Sequence, residues 1–234
     1  MANAWPVGWL TNLAAWLRRV YAVSVVTDST ADGETTPAAQ PGKSARLVDA
    51  ARELVYRQGV ARTTLADIAQ AADVLVGNLY YYFKTKDDIV AAIVRTHADQ
   101  LTSVLAELDR RHHRPKPRLK ALVRALAERR ELVARYGCRY GTLGSELAKQ
   151  AEGADPLAAL LMRIPLDWAE QQFRAMGRRD AHDLAVELVA TYQGSALLSN
   201  TLGQPELMAR QARRLERWID ELAPSTDTPA GEKG

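Results

Sequence analysis

The sequence predicts an all-α protein, a three-helix head of helix-turn-helix type followed by a larger helical domain. Three observations carry this. Apolar residues recur at three- and four-residue intervals through most of the chain from Ser44 to Leu222. No alternation of apolar and polar residues is long enough to make a strand. Glycine and proline punctuate the chain at helix-length spacing, at Gly59, Gly153 and Gly203-Gln204-Pro205. A length of 234 residues suits one small module plus one larger domain.

Residues 1–43 are expected to stand outside the fold, as a disordered leader and linker or as a stretch ahead of the true start. Residues 5–26 are apolar, but Arg18 and Arg19 lie within the run rather than before it, unlike a secretion signal. An amphipathic surface helix there is the alternative, with Trp9, Leu13, Leu17 and Val20 on one face. Residues 27–43 are polar and rich in Thr, Pro and Gly, with nothing to bury.

The first helix is expected over 44–58, with Leu47, Ala50, Ala51, Leu54 and Val55 inward and Gly59 as its stop. Thr64 and Asp67 have capping-box spacing and open a short helix to Ala71. A turn at Ala72-Asp73-Val74 leads to a second short helix over 75–82, and Thr85 with Asp88 caps a long one to Arg110. A basic loop is expected at 110–117. Helices follow at 118–136, 137–152, 154–176, 180–202 and 206–222, nine in all, before a polar tail from 223.

Two short helices joined by a tight turn suit DNA. The second can place its first side chains in the major groove, about 12 Å wide, while the first crosses the backbone. The second helix offers Leu75, Val76, Gly77, Asn78, Tyr80, Tyr81 and Tyr82, and Lys84 and Lys86 follow. Gly77 permits close approach of backbone to DNA, Asn78 can bond a base edge, and tyrosine hydroxyls suit phosphates. From Lys43 to Lys86 seven basic residues face four acidic ones, a surplus equal to the +3 of the whole chain. Adjacent helical residues point about 100° apart, so one face cannot bury all three tyrosines. Packing is expected to take one or two of them, Tyr82 with Phe83 first.

These residues make the segment specific. Residues 46–90 resemble the DNA-binding domain of the TetR/AcrR family of regulators. The likeness rests on TLADIAQAADV and above all on GNLYYYFKTKDDI at 77–89. The resemblance implies DNA contacts from Thr64, Gly77, Asn78, Tyr80, Tyr81 and Lys86, with Tyr80 and Lys86 on phosphates. Two positions depart from the family pattern: Asp73 replaces the usual turn Gly, and Leu75 replaces a Ser that would cap the helix. Asp tolerates left-handed backbone. Leu75 puts a phosphate contact in doubt and turns Leu75 and Val76 towards thymine methyls, if they face the groove.

Residues 87–222 are less specific. GCRYGTLGSELA at 137–148 is similar to a stretch in the C-terminal domains of one subgroup of that family. The implied plan is a head at 44–90 and a ligand-binding and dimerisation domain at 91–222. A pocket for an apolar or amphipathic effector is expected among Tyr136, Tyr140, Leu143, Leu147, Trp168, Phe173 and Tyr192. Met208, Gln211, Ala212, Leu215, Trp218, Ile219 and Leu222 form a heptad-like stripe, and Ala190 and Gly194 are small residues for close helix approach. The resemblance makes these the interface of a homodimer that binds double-stranded operator DNA.

Other classes find less support. His97, His112, His113 and His182 have no metal-ligand spacing, and neither a Ser/His/Asp set nor a Gly-rich phosphate loop is recognisable. No enzyme, metal or cofactor is therefore expected. Cys138 is the only cysteine, which excludes an intrachain disulfide and fits a reducing cytoplasm. Its plain reading is a small buried residue rather than a redox sensor. No uninterrupted apolar run approaches the roughly 20 residues that span a bilayer. The rival readings are a small-molecule-binding helical protein without an operator and a regulator tethered to a membrane by residues 5–26.

Overall fold

The computed structural model describes residues 42–151 and 156–222. The leader, most of the linker and the tail fall outside these residues. The described residues form ten α-helices and no strand.

α1 (Lys43–Gln58), α2 (Leu65–Ala71) and α3 (Val76–Tyr82) make the head. α1 buries Leu47, Ala51 and Val55, and stops at Gly59, whose φ of 83° favours a residue without Cβ. α4 (Lys86–Arg111) buries Ile89, Val90, Ile93, Val94 and Leu101 along one stripe. This helix runs unbroken across the expected boundary at residue 90. Head and larger domain share one core there, because Leu143, Leu147, Ala158 and Leu161 join the cluster of Leu47, Ile68, Leu79 and Ile93.

α5 (Pro115–Ala127), α6 (Arg130–Tyr136), α7 (Arg139–Gln150), α8 (Pro156–Ala175), α9 (Ala181–Leu202) and α10 (Glu206–Glu221) complete the fold. α9 packs on α6, α8 and α10, α5 packs on α8 and α10, and α7 lies between α8 and the head. A second core gathers Leu105, Leu119, Leu122, Phe173, Leu188, Leu215 and Ile219.

Two expectations are corrected. The basic stretch is not a loop to residue 117, since α5 begins at Pro115. Proline is tolerated in the first turn of a helix, where its missing N–H has no intrahelical partner to lose. The helix expected over 118–136 is two helices, which makes ten rather than nine. Its break at Glu128-Arg129 has no Gly or Pro to mark it in the sequence. No helix among the described residues is long and apolar enough to cross a membrane.

Candidate nucleic-acid interface and effector cavity

The head begins with two reciprocal caps. The Thr64 hydroxyl accepts the Asp67 N–H at 3.1 Å, while the Asp67 carboxylate accepts the Thr64 N–H at 2.9 Å. Thr85 and Asp88 repeat this at the start of α4, at 3.1 and 2.9 Å. These bonds hold both carboxylates below their usual pKa range. The caps fix both ends of the segment that carries α3. The turn between α2 and α3 depends on Asp73, the one non-glycine residue with positive φ among those described, at 52°. The left-handed turn thus forms with aspartate in place of glycine.

α3 is held by Leu79, fully buried, and by Phe83 just past its end. The other side chains turn outward. Leu75 and Tyr81 are each 77% exposed, Tyr80 47%, Val76 43% and Tyr82 40%. Tyr82 is therefore corrected: it does not pack with Phe83 but meets Tyr81 edge to face, ring centroids 5.1 Å apart. Leu79 and Phe83, one turn apart, already fill the inward face. Gly77 has open space around its Cβ position, and Asn78 is exposed. Lys84 Nζ donates to the Tyr80 carbonyl at 2.8 Å, and Lys86 Nζ reaches the Ala61 carbonyl at 3.4 Å. Every residue expected at the DNA surface is at least partly exposed, from Thr64 through Lys86. Leu75 is the N-cap of α3 and supplies no side-chain cap.

The larger domain encloses a cavity of about 110 Å³ between α4, α5, α8, α9 and α10. Its walls are mostly aliphatic, from Leu105, Leu122, Leu161, Met162, Leu188 and Leu215. Pro165, inside α8, also lines it and interrupts the backbone ladder of that helix. Of the residues expected in a pocket, only Tyr140 and Tyr192 line this cavity. Leu143 and Leu147 are core contacts towards the head, and Trp168 and Phe173 are core of the second cluster. Tyr136 lies elsewhere, against Tyr56 with ring centroids 5.4 Å apart. Large apolar residues fill either a core or a cavity wall, and helical spacing does not separate the two.

The expected pairing stripe divides, with Gln211, Trp218 and Leu222 half-exposed and the rest buried. Met208, Leu215 and Ile219 are buried within their own protomer, Met208 and Leu215 as cavity wall. Trp218 packs edge-on against Phe173, and Leu222 packs on the second core. The outward apolar face belongs instead to α9, where Ala190 and Gly194 are exposed with Val186, Leu197, Leu198 and Leu202. The outer positions of α10 are charged, among them Arg210, Arg213 and Arg217.

Several contacts absent from the sequence reading join head to cavity domain. The Tyr56 hydroxyl lies 3.2 Å from the carbonyls of both Leu132 and Gly137 and donates there, at the α6–α7 junction. Burial pushes its pKa up to about 12. The Glu146 carboxylate accepts the Ala61 N–H at 2.8 Å, and Arg52 donates to Gln100 at 3.0 Å. Single polar residues scattered over more than 80 positions leave no local pattern, so no sequence signal marks them.

Residues 47–93 match the family described as bacterial regulatory proteins, tetR family. The HTH-type transcriptional regulator TtgR of Pseudomonas putida is 46% identical over 50 residues, which cover 21% of this chain and 24% of the relative. The chain thus matches about a quarter of the length of that curated relative. Solved structures extend the likeness in fold alone. A TetR-family regulator from Agrobacterium tumefaciens superposes with a TM-score of 0.68 at 22% identity, covering 76% of this chain and 97% of that one. A TetR regulator from Legionella pneumophila gives 0.67 at 18% identity, with 79% and 98% covered.

Proposed function

We propose that this chain is a transcriptional regulator of the TetR/AcrR family, and within it a homodimeric, effector-responsive DNA-binding repressor. The observation that carries the reading is α3. Four large apolar or aromatic side chains stand in solvent on a seven-residue helix, with Leu75 at its N-cap a fifth, beside Asn78, Lys84 and Lys86. Exposure of that many such groups on a helix held by Leu79 and Phe83 suits a surface that a partner covers. Duplex DNA fits its chemistry: hydroxyls and lysines for phosphates, Asn78 and apolar groups for base edges.

A second copy would meet the exposed face of α9, with Ala190 and Gly194 letting the helices approach closely. A two-fold dimer presents two heads to two half-sites. The cavity takes the effector. An effector releases DNA only by favouring the conformation that binds DNA less well. α4 is the lever, since it starts in the head at Lys86 and lines the cavity with Leu101, Val104 and Leu105.

The test is a gel shift with DNA flanking the chain's own gene. Tyr80→Ala and Lys86→Ala are expected to weaken binding at least tenfold while the dimer persists by light scattering. Undiminished binding by both variants refutes the assignment of α3.

A further inference from the structure

The cavity carries charge, and that charge is positive. Arg129, Arg139, Tyr140 and Tyr192 line it, while no acidic side chain is among its lining residues. Arg139 and Tyr140 open α7, Arg129 is the N-cap residue of α6, and Tyr192 comes from α9. Arg139 feels the charges of Arg129 and Arg52, and the Tyr192 hydroxyl reaches Cys138 Sγ at 3.7 Å. Leu105, Leu122, Leu188 and Leu215 line the same cavity and belong to the second core. The lining is therefore mainly apolar, with two arginines and two tyrosines among it.

Arg139 is the unsatisfied member. Its Nε and Nη2 are buried and have no hydrogen-bond partner among the described residues. Its guanidinium instead stacks over the Tyr56 ring, 4.5 Å from the centroid. Burial and the neighbouring arginines lower its pKa. It also lines a second recess, with Arg52, His97 and Glu146. The Glu146 carboxylate makes no ion pair with Arg139 among the described residues and accepts the Ala61 N–H at 2.8 Å. His97 is held neutral beside Arg52 and Arg139, with its pKa down to about 3 and Nδ1 unpartnered. A largely buried guanidinium without a carboxylate carries a desolvation cost that pairing with an anion would offset.

We infer that the effector is an amphipathic anion, its apolar body in the aliphatic part of the cavity and its anionic group paired with Arg139. This rests on the effector-responsive reading above and specifies its ligand class. The planar fork of arginine matches the oxygens of a carboxylate or a phosphate. The same geometry links ligand to head. A guanidinium drawn into an ion pair at the cavity leaves the face of Tyr56, whose hydroxyl ties α1 to the carbonyls of Leu132 and Gly137.

Calorimetry on the full chain, without DNA, tests this with decanoate, decyl phosphate and 1-decanol. At least one anion is expected to bind tenfold or more tightly than the alcohol, and the preferred anion tells carboxylate from phosphate. Arg139→Gln is expected to erase that preference and leave 1-decanol affinity unchanged, while Arg139→Lys retains most of it. Equal binding of alcohol and anions, no binding of either anion, or an undiminished preference in Arg139→Gln overturns the inference. Loss of gel-shift activity by the ligand-free protein would instead overturn the regulator reading, since calorimetry is independent of DNA.

Discussion

Leu75→Ser should stabilise the protein, although it removes an apolar side chain. Leu75 occupies the N-cap of α3 in extended conformation, φ −61° and ψ 137°, with no side-chain cap. The first intrahelical bonds run to its carbonyl from Asn78 and Leu79 N–H at 2.8 and 3.2 Å. The N–H groups of Val76 and Gly77 precede them and lack an intrahelical acceptor. A serine hydroxyl here can accept from Gly77 or Asn78, and such a cap is worth about 1 kcal/mol over alanine. Leu75 is 77% exposed, so its removal forfeits under a quarter of full leucine burial, about 0.5 kcal/mol. The cap wins by about 0.5 kcal/mol. Leu75→Ala lacks the cap and should lose about 0.5 kcal/mol, which leaves roughly 1 kcal/mol between the two variants. Urea denaturation followed by helical circular dichroism measures the difference, and thermal melting should separate them by about 2–4 °C. If serine and alanine variants are equally stable, the start of α3 is already satisfied and the reasoning fails.

Two further outcomes follow from the region joining head and cavity domain. His97 has its pKa lowered from 6.5 to about 3 by burial, Arg52 and Arg139, so the unfolded chain binds its proton first as pH falls. Its contribution is therefore complete above pH 6.5 and lost progressively towards pH 3, by at most about 1.4 kcal/mol per pH unit. His97→Gln should flatten the decline in stability between pH 6 and 4 relative to wild type, and parallel pH profiles would refute the assignment. Gly137 has φ 81°, and a Cβ there would lie 2.6 Å from Thr142 Cγ2. Gly137→Ala should thus cost about 1–3 kcal/mol in urea denaturation, from left-handed backbone and crowding together. A loss below 0.5 kcal/mol, roughly the scatter for neutral surface changes, would show that the α6–α7 junction yields easily.

The head was legible because its determinants are local. Thr64 with Asp67 and Thr85 with Asp88 cap helices three residues away, so their spacing announces the bonds they make. Asp73 was readable for a similar reason, since a left-handed turn selects among few residue types. The exposure of Tyr82 was not, because a helical stripe shows which residues share a face and leaves open how many of them the core needs.

The same limit explains the larger domain. Periodicity marked α10 as amphipathic, yet whether Met208, Leu215 and Ile219 would face their own chain or a second copy depended on where α5, α6 and α9 came to lie. Trp168 and Phe173 went to the core while Tyr140 and Tyr192 went to the cavity wall, a division made by helices far apart in sequence. Sequence alone determined the all-α class, the two capped short helices and the surface chemistry of residues 75–86, all set within a few turns of backbone. Tertiary structure alone decided which apolar face stays open and placed Arg139 between the cavity and Tyr56. An isolated arginine has no local signature. Its chemistry depends on neighbours such as Arg52 and Tyr56, more than 80 positions away, that only folding brings within reach.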